Sequence, residues 1–554
     1  MGIDVGGTNT DAVLMAGSTV LAKLKTPTTA DITNGITTAM RHILDESHTA
    51  PGDVSGVMIG TTHFTNAIVE RRSLAPTAIV RVALPAGLDI PPMTDWPGDI
   101  ADALGRHVYM VHGGNEFDGR EIAPLDPAEI ADVAASLAER GITAIAVSAP
   151  FSPVTSEMEQ RTASLLAEQV PGAQVTCSHQ IGQLGLLERE NAAILNAALR
   201  PLAAHTVAAF RAAVREMGIT APLYLTQNDG TLMQAGFAER FPVLTIASGP
   251  SNSVRGAAFL SGVRDAMVLD VGGTTCDIGV LVDGFPRKAS VAVQVGGVRT
   301  NFRMPDVHSF GLGGGSIIGR DNGALTIGPR SVGYRITSEA LVFGGETLTA
   351  TDIAVAAGFA NLGDASRVTT LDQDLVAEAL AGMQATIDAG VDRMKTSAAA
   401  IPLIVVGGGS ILVREVAGVS EVIRPDHFEA ANAVGAAIAQ ISGDVDRVFA
   451  LGDGLDRDGA LAIAKSEAIE RAVAAGAAPA SSRTFRSPTC RATPRGSASR
   501  PLATCGPDES QVQVGHRMDG TQNHDRMVAS IIDELRQNGA VAWPGHGRSS
   551  SLAR

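Results

Sequence analysis

The sequence predicts an α/β protein built from two similar lobes. Two observations carry that prediction: an Asp-Val-Gly-Gly-Thr turn that occurs twice, and strand-like and helical runs that alternate between the copies. Asp4-Val5-Gly6-Gly7-Thr8-Asn9-Thr10-Asp11-Ala12-Val13-Leu14-Met15 lies over Asp270-Val271-Gly272-Gly273-Thr274-Thr275-Cys276-Asp277-Ile278-Gly279-Val280-Leu281, with six of twelve positions identical. In each copy an apolar run leads into the Gly-Gly turn and a second β-rich run comes after it. A tight turn, Ala16-Gly17-Ser18 or Asp283-Gly284, then leads towards a third strand.

The intervening elements fit the same class. Ile32, Ile36, Met40 and Ile43 share a stripe at helical spacing, and Leu186 to about Arg215 reads as long helical segments. Ile142 to Val147 and Leu223 to Thr226 read as strands, and such alternation favours an α/β architecture over a bundle or a sandwich. Gly311 to Gly315 reads as a loop. The 554-residue length predicts several domains, divided here as 1–185, 186–480 and 481–554. Composition shifts near Pro479: residues 481–505 are rich in Ser, Arg, Thr and Pro, carry no acid, and have no hydrophobic period. That stretch reads as disordered, followed by a short amphipathic helix with Met527, Ile531, Ile532 and Leu535 on one face and an unstructured end.

Bulk chemistry narrows the function. A formal net charge of −15 argues against nucleic acid as a partner. Four cysteines without metal-ligand spacing suit a reducing compartment. With no signal segment read at Met1 and apolar runs such as Ile401 to Val406 too short to cross a bilayer, a cytoplasmic protein with no membrane partner is expected.

The glycine turns suit a phosphate. Gly6 and Gly7 let backbone N–H groups face an anion, Thr8, Asn9 and Thr10 add polar side chains, and Asp4 would face a hydrated divalent cation. Asp270 with Gly272, Gly273, Thr274 and Thr275 repeats the set. One such copy reads equally well as an ordinary glycine turn; two related copies can grip a triphosphate from both sides. A third element, Val405-Val406-Gly407-Gly408-Gly409-Ser410, ends an apolar strand with glycines that admit an adenosine.

This order of motifs resembles the superfamily of actin, heat-shock-chaperone ATPases and sugar kinases. The resemblance implies an actin-like ATPase fold of duplicated ribonuclease H-like lobes, with an inserted α/β subdomain. Further segments resemble the hydantoinase/oxoprolinase family, specifically its ATP-binding A-type subunit. They are Gly60-Thr61-Thr62-His63-Phe64-Thr65-Asn66-Ala67, Gly113 to Gly119, Glu188-Arg189-Glu190-Asn191, Gln227-Asn228-Asp229-Gly230, Ser248-Gly249-Pro250, Asp306-Val307-His308 before Gly313-Gly314-Gly315-Ser316, and Leu348 to Asp352. The similarity ends near Pro479, where members of the family continue into a β-rich part, and Asn9 stands where they commonly have an aromatic residue. The family resemblance implies ATP and Mg2+, and phosphoryl activation of a carbonyl in a hydantoin or 5-oxoproline, or in a ketone for the related carboxylases. It further implies a B-type partner subunit, and an oligomer is expected. Asp4 and Asp270 are the candidates for organising Mg2+ and for catalysis.

Other assignments stay open between two readings. Thr61, Thr62, Thr65 and Asn66 would present a polar surface to an amide ring or cap a helix beginning near Thr65. Asp306 and His308, two residues apart on an extended segment, would share a face as an additional divalent-metal pair if His63, His112 or Asp229 supplied a third ligand. Gly311 to Ser316 would bind phosphate or form a close crossing, and Cys276 reads as a core filler. A sugar kinase and an ATP-dependent switch subunit are the competing functions. The first lacks its family's zinc cluster, and the second would use lobe closure to signal to a partner.

Overall fold

The computed structural model describes residues 1–443 except 8, 29–31, 290–292 and 303, then 445, 447–450, 455–477 and four short strands beyond. Two compact units result, Met1–Ala439 and Gln440–Arg554.

The first unit begins with β1 (Gly2–Val5), β2 (Asn9–Ala16), β3 (Thr19–Pro27), α1 (Ile32–Ser47), β4 (Val57–Thr61) and α2 (His63–Glu70). An inserted layer comes next: β5 (Thr77–Leu84), α3 (Gly98–Leu104), β6 (His107–His112), α4 (Pro127–Arg140), β7 (Ala144–Ser148), α5 (Glu157–Gln169) and β8 (Gln174–Cys177). The chain returns through α6 (Leu186–Glu216), β9 (Leu223–Thr226), β10 (Leu232–Gln234), α7 (Ala235–Arg240) and α8 (Ser248–Ser261).

The second half holds β11 (Ala266–Val271), β12 (Cys276–Val282), β13 (Phe285–Pro286), β14 (Val293–Val295), β15 (Val298–Thr300), β16 (Val307–Phe310), β17 (Ser316–Asp321) and β18 (Ala324–Ser331). It ends with α9 (Ile336–Glu339), α10 (Ala350–Ala356), α11 (Gln373–Met394), β19 (Leu403–Val406), β20 (Val422–Ile423) and α12 (Ala431–Ile438).

The repeat in sequence is a repeat in topology. The first sheet runs β10-β9-β4-β1-β2-β3 and the second β13-β12-β11-β19-β20. In each, the motif-bearing strand pairs antiparallel with the strand after the glycine turn and parallel with the next strand inward. Even the register is shared: Asp4 lies opposite Asp11, and Asp270 opposite Asp277. Apolar residues of β11, β12 and β19 pack under α10 and α11, and Cys276 is buried there as a core filler.

The inserted layer is a parallel sheet, β6-β5-β7-β8, with α4 and α5 on one face and α3 and α6 on the other. Covered on both faces, β5 reads as a nearly continuous apolar run, as buried parallel strands do. Its one charge, Arg81, is 1% exposed and forms a bidentate pair with Glu190 of α6 at 2.8 and 2.5 Å.

Three expectations need correction. Strands β9 and β10 pair in the first sheet, so that lobe's sheet extends to Gln234 and not to residue 185. The compact unit closes at Ala439, ahead of the boundary expected at residue 480. Helix α6 is long and apolar enough to cross a membrane by length and composition, unlike the short runs singled out from sequence; most of that apolar window is buried within the protein.

In the second unit, α13 (Arg457–Ala474) buries Ala460, Ala464, Ala468 and Ala472, a stripe of small residues along one face. Two sheets are described there, formed by β21 (Ser442–Gly443), β22 (Arg447–Ala450), β23 (Thr484–Phe485), β24 (Thr489–Thr493), β25 (Leu502–Gly506) and β26 (Val512–Gln513). The last four strands lie within 481–554, where composition predicts disorder; the other residues of that segment, including the helix expected around Met527, lie outside the described residues.

Candidate functional site

Both glycine turns open onto one cleft of about 370 Å³ within the first unit. Asp4, Gly6, Gly7, Asn9, Asp270, Gly272, Gly273, Thr274, Thr275, Gly407, Gly408 and Gly409 all line it. The two turns close alike, through Gly6 N–H to Asn9 O at 3.0 Å and Gly272 N–H to Thr275 O at 2.9 Å.

Each acid sits at the end of its lobe's central strand, under a glycine of the parallel neighbour. A Cβ at Gly60 would fall 2.2 Å from Asp4 Oδ1, and one at Gly407 2.2 Å from Asp270 Oδ1. Gly407 also has φ +87°, which a side chain rarely tolerates. The glycines after β19 thus seat Asp270 as well as widening the cleft. The loop from Gly311 to Ser316 props the second turn, with Gly314 and Gly315 donating to Gly272 O and Gly273 O at 3.0 and 2.8 Å. Of its two readings, the close crossing is the one the geometry displays.

Two helices that carry neither glycine turn complete the site. Successive residues of α8 reach the two lobes: Asn252 donates to Asp4 Oδ1 at 3.3 Å, and Ser253 donates to Asp270 Oδ2. From α12, Asn432 donates to Asp4 Oδ2 and Asp11 Oδ2, each at 3.0 Å. Lys25 of β3 lies 2.6 Å from Asp11 Oδ1 and is the one Lys or Arg among the residues lining the cleft. Sequence reasoning missed these partners, which come from strands and helices far apart in the chain. Only the Ser248-Gly249-Pro250 segment that opens α8 gave a signal, and it pointed to no individual side chain.

The electrostatics are those of an under-neutralised acidic pocket. Burial, followed by the nearby charge of Asp11, pushes Asp4 up to about 6. Burial also raises Asp270, against the Ser253 hydroxyl and the charge of Lys25. Burial and the charge of Asp270 push the half-buried Asp277 up to about 6, although it accepts a hydrogen bond from Ser309. Close carboxylates with one lysine between them fit a hard divalent cation, whose charge would relieve what burial and repulsion oppose.

Several expected residues lie elsewhere. Thr10 is buried and its hydroxyl meets that of Thr28 at 3.2 Å, while Ser410 is buried in the turn after Gly409. Neither lines the cleft, and Thr8 lies outside the described residues. Thr61, Thr62, Thr65 and Asn66 do not line it either. Thr61 is 2.6 Å from His63 Nδ1, Thr62 Oγ1 donates to Val5 O at 3.4 Å, and Asn66 Nδ2 reaches Thr62 Oγ1 at 3.5 Å. Their helix starts at His63, and Thr62 gives it no side-chain cap. Asp306 is engaged by Arg287 at 2.7 Å, and His308 lies ring to ring with Phe310 at 5.7 Å. The offered third ligands are occupied too: His112 meets Glu129 and Asp229 holds Thr231. Among the described residues Asp306 and His308 belong to no group of three ligand-bearing side chains.

Comparison with known proteins agrees with this architecture. Residues 1–170 match the hydantoinase/oxoprolinase N-terminal region, and residues 189–401 match the hydantoinase/oxoprolinase model. The chain is 28% identical over 378 residues to caprolactamase subunit alpha of Pseudomonas jessenii, covering 65% of this chain and 54% of that one. It is 26% identical over 403 residues to the acetophenone carboxylase gamma subunit of Aromatoleum aromaticum, covering 65% and 53%. The chain therefore spans about half the length of the curated relatives it matches.

Among solved structures, the ATP-dependent caprolactamase from Pseudomonas jessenii superposes with a TM-score of 0.71 at 20% identity, over 98% of this chain and 85% of that one. Nucleotide-free acetone carboxylase gives 0.67 at 19% identity, over 97% and 83%. These likenesses establish the fold, two actin-like ATPase lobes. With both family regions matched in order across more than half of its length, the chain belongs to the hydantoinase/oxoprolinase family.

Proposed function

We propose that this chain binds ATP with Mg2+ in the interlobe cleft and uses it to activate a carbonyl of a cyclic amide, of the hydantoin, 5-oxoproline or lactam type. The observation that carries the reading is the convergence of both Asp-Val-Gly-Gly turns and Gly407 to Gly409 on one cavity. The relatives' names support the substrate class, since one is a caprolactamase and is called ATP-dependent. They equally name ketone carboxylases, which makes ketone activation the second reading. Each is named as a subunit, which supports a partner such as a B-type chain.

The division of labour comes from the lining. Backbone N–H groups of the two turns would face the phosphates, with Thr274 and Thr275 adding hydroxyls. Lys25 would neutralise phosphate charge at the seam between lobes. Ile336, Phe343, Leu362 and Ile411 supply the apolar wall suited to a nucleobase. Asp4 and Asp270 would hold Mg2+, whose bound charge lowers the cost of bringing the phosphates against these acids. Asn252, Ser253 and Asn432 fix the carboxylates and so set the geometry of attack.

Calorimetric titration of Mg-ATP, followed by ADP release in the presence of hydantoins, 5-oxoproline, lactams and small ketones, tests the reading. Binding that is lost in Asp270→Asn, with turnover raised by a cyclic amide, is the expected result. Absence of Mg-ATP binding removes the proposal, and stimulation by ketones with bicarbonate, but not by amides, replaces it with the second reading.

A further inference from the structure

A second groove, of about 410 Å³, lies among α5, β8, the middle of α6 and the end of α7, and it shares no lining residue with the nucleotide cleft. Its lining contains Arg200 and Arg240 and no carboxylate. Arg200, half-buried on α6, donates through Nη1 to Val175 O at 2.9 Å, while its Nε is buried without a partner. Burial, followed by the nearby charge of Arg240, holds Arg200 below the usual arginine range.

Arg240 is exposed and rests 5.2 Å from the ring centre of Phe241. The adjacent acid, Glu239, is engaged by Arg211 at 2.7 Å. Gln160 and Gln180 add side-chain amides to the lining, while the Ser164 hydroxyl donates to Gln160 O at 3.0 Å.

We propose that this groove binds a small oxyanion, a phosphate or a carboxylate, held between the guanidinium groups of Arg200 and Arg240, the two cations that line it. The planar guanidinium fork matches two oxygens of such a group, and two converging arginines favour a doubly charged anion over chloride. The site is independent of the nucleotide reading, because its residues belong to the inserted layer and its flanking helices.

The test is calorimetric titration of inorganic phosphate and, separately, of malonate into the full chain, with ionic strength held constant by chloride. Each titration is repeated with Mg-ADP present, to take any phosphate binding in the cleft out of the comparison. A saturable event that weakens about tenfold or more in Arg200→Gln and in Arg240→Gln is expected, and the phosphate and malonate arms report which oxyanion is preferred. No binding of either anion, or equal binding by wild type and Arg240→Gln, overturns the proposal. Because Arg240 is exposed, that variant decides the matter even if Arg200→Gln fails to fold.

Discussion

Asp4 and Asp270 occupy matching places in two hairpins, yet only the first is held by two amides. Asn252 and Asn432 grip Asp4 from two helices, whereas Ser253 reaches Asp270 alone. The acids and glycine turns were legible in sequence because a repeated backbone motif announces itself. Lys25, Asn252, Ser253 and Asn432 were not, because no spacing along the chain links β3, α8 and α12. Lys25 gives a direct test: Lys25→Met should weaken ATP binding about tenfold or more while leaving adenosine affinity unchanged, both read by titration. Equal effects on the two ligands would place Lys25 away from the phosphates. Asp277 gives a pH test. Its folded carboxyl keeps its proton up to about 6, against an ordinary value of 3.8, so the stability it contributes is present below about pH 4 and lost as pH rises through 6. Asp277→Asn should therefore gain on wild type between about pH 4.5 and 7.5 in urea unfolding. A constant difference across that range would contradict the assignment.

At the scale of elements, the site depends on how closely α8 and α12 cross. A Cβ at Gly256 would lie 1.8 Å from Ala431 O, and one at Gly435 1.9 Å from Asn252 O, so backbone meets backbone with no room for a methyl group. These helices carry the three side chains that hold Asp4 and Asp270, so separating them moves the acids' supports. Gly256→Ala should cost about 1–3 kcal/mol in chemical denaturation and weaken nucleotide binding as well. Gly249→Ala, at an open position of the same helix, is the control and should stay within about 0.5 kcal/mol of wild type. If the two variants behave alike, the crossing is not the constraint. Periodicity identified α1 because it buries one face, while the apolar runs of α6 and β9 stand out in the sequence because successive residues there are buried. Periodicity could not report the crossing, since a glycine's role as a contact surface exists only once a partner backbone is opposite.

For the molecule as a whole, every residue lining the cleft between the glycine turns falls within Met1–Ala439. A fragment ending at Ala439 should therefore fold and bind Mg-ATP with an affinity within a few-fold of the full chain, and a fragment that folds without binding would show that the cleft needs residues beyond Ala439. The fragment's apparent stability should also rise with nucleotide, by about 2.7 kcal/mol at a hundredfold excess over Kd. The sequence by itself determined the duplicated lobes, the acids at the ends of paired strands and the glycine turns between strands, because these are local: a turn needs glycine and a buried strand needs apolar residues wherever the rest of the chain goes. Only the tertiary structure decided which polar side chains meet those acids, that Thr10 and Asp306 are committed elsewhere, and that β9 and β10 belong to the first sheet. Those outcomes depend on contacts between segments up to hundreds of residues apart, and packing, not local preference, sets them.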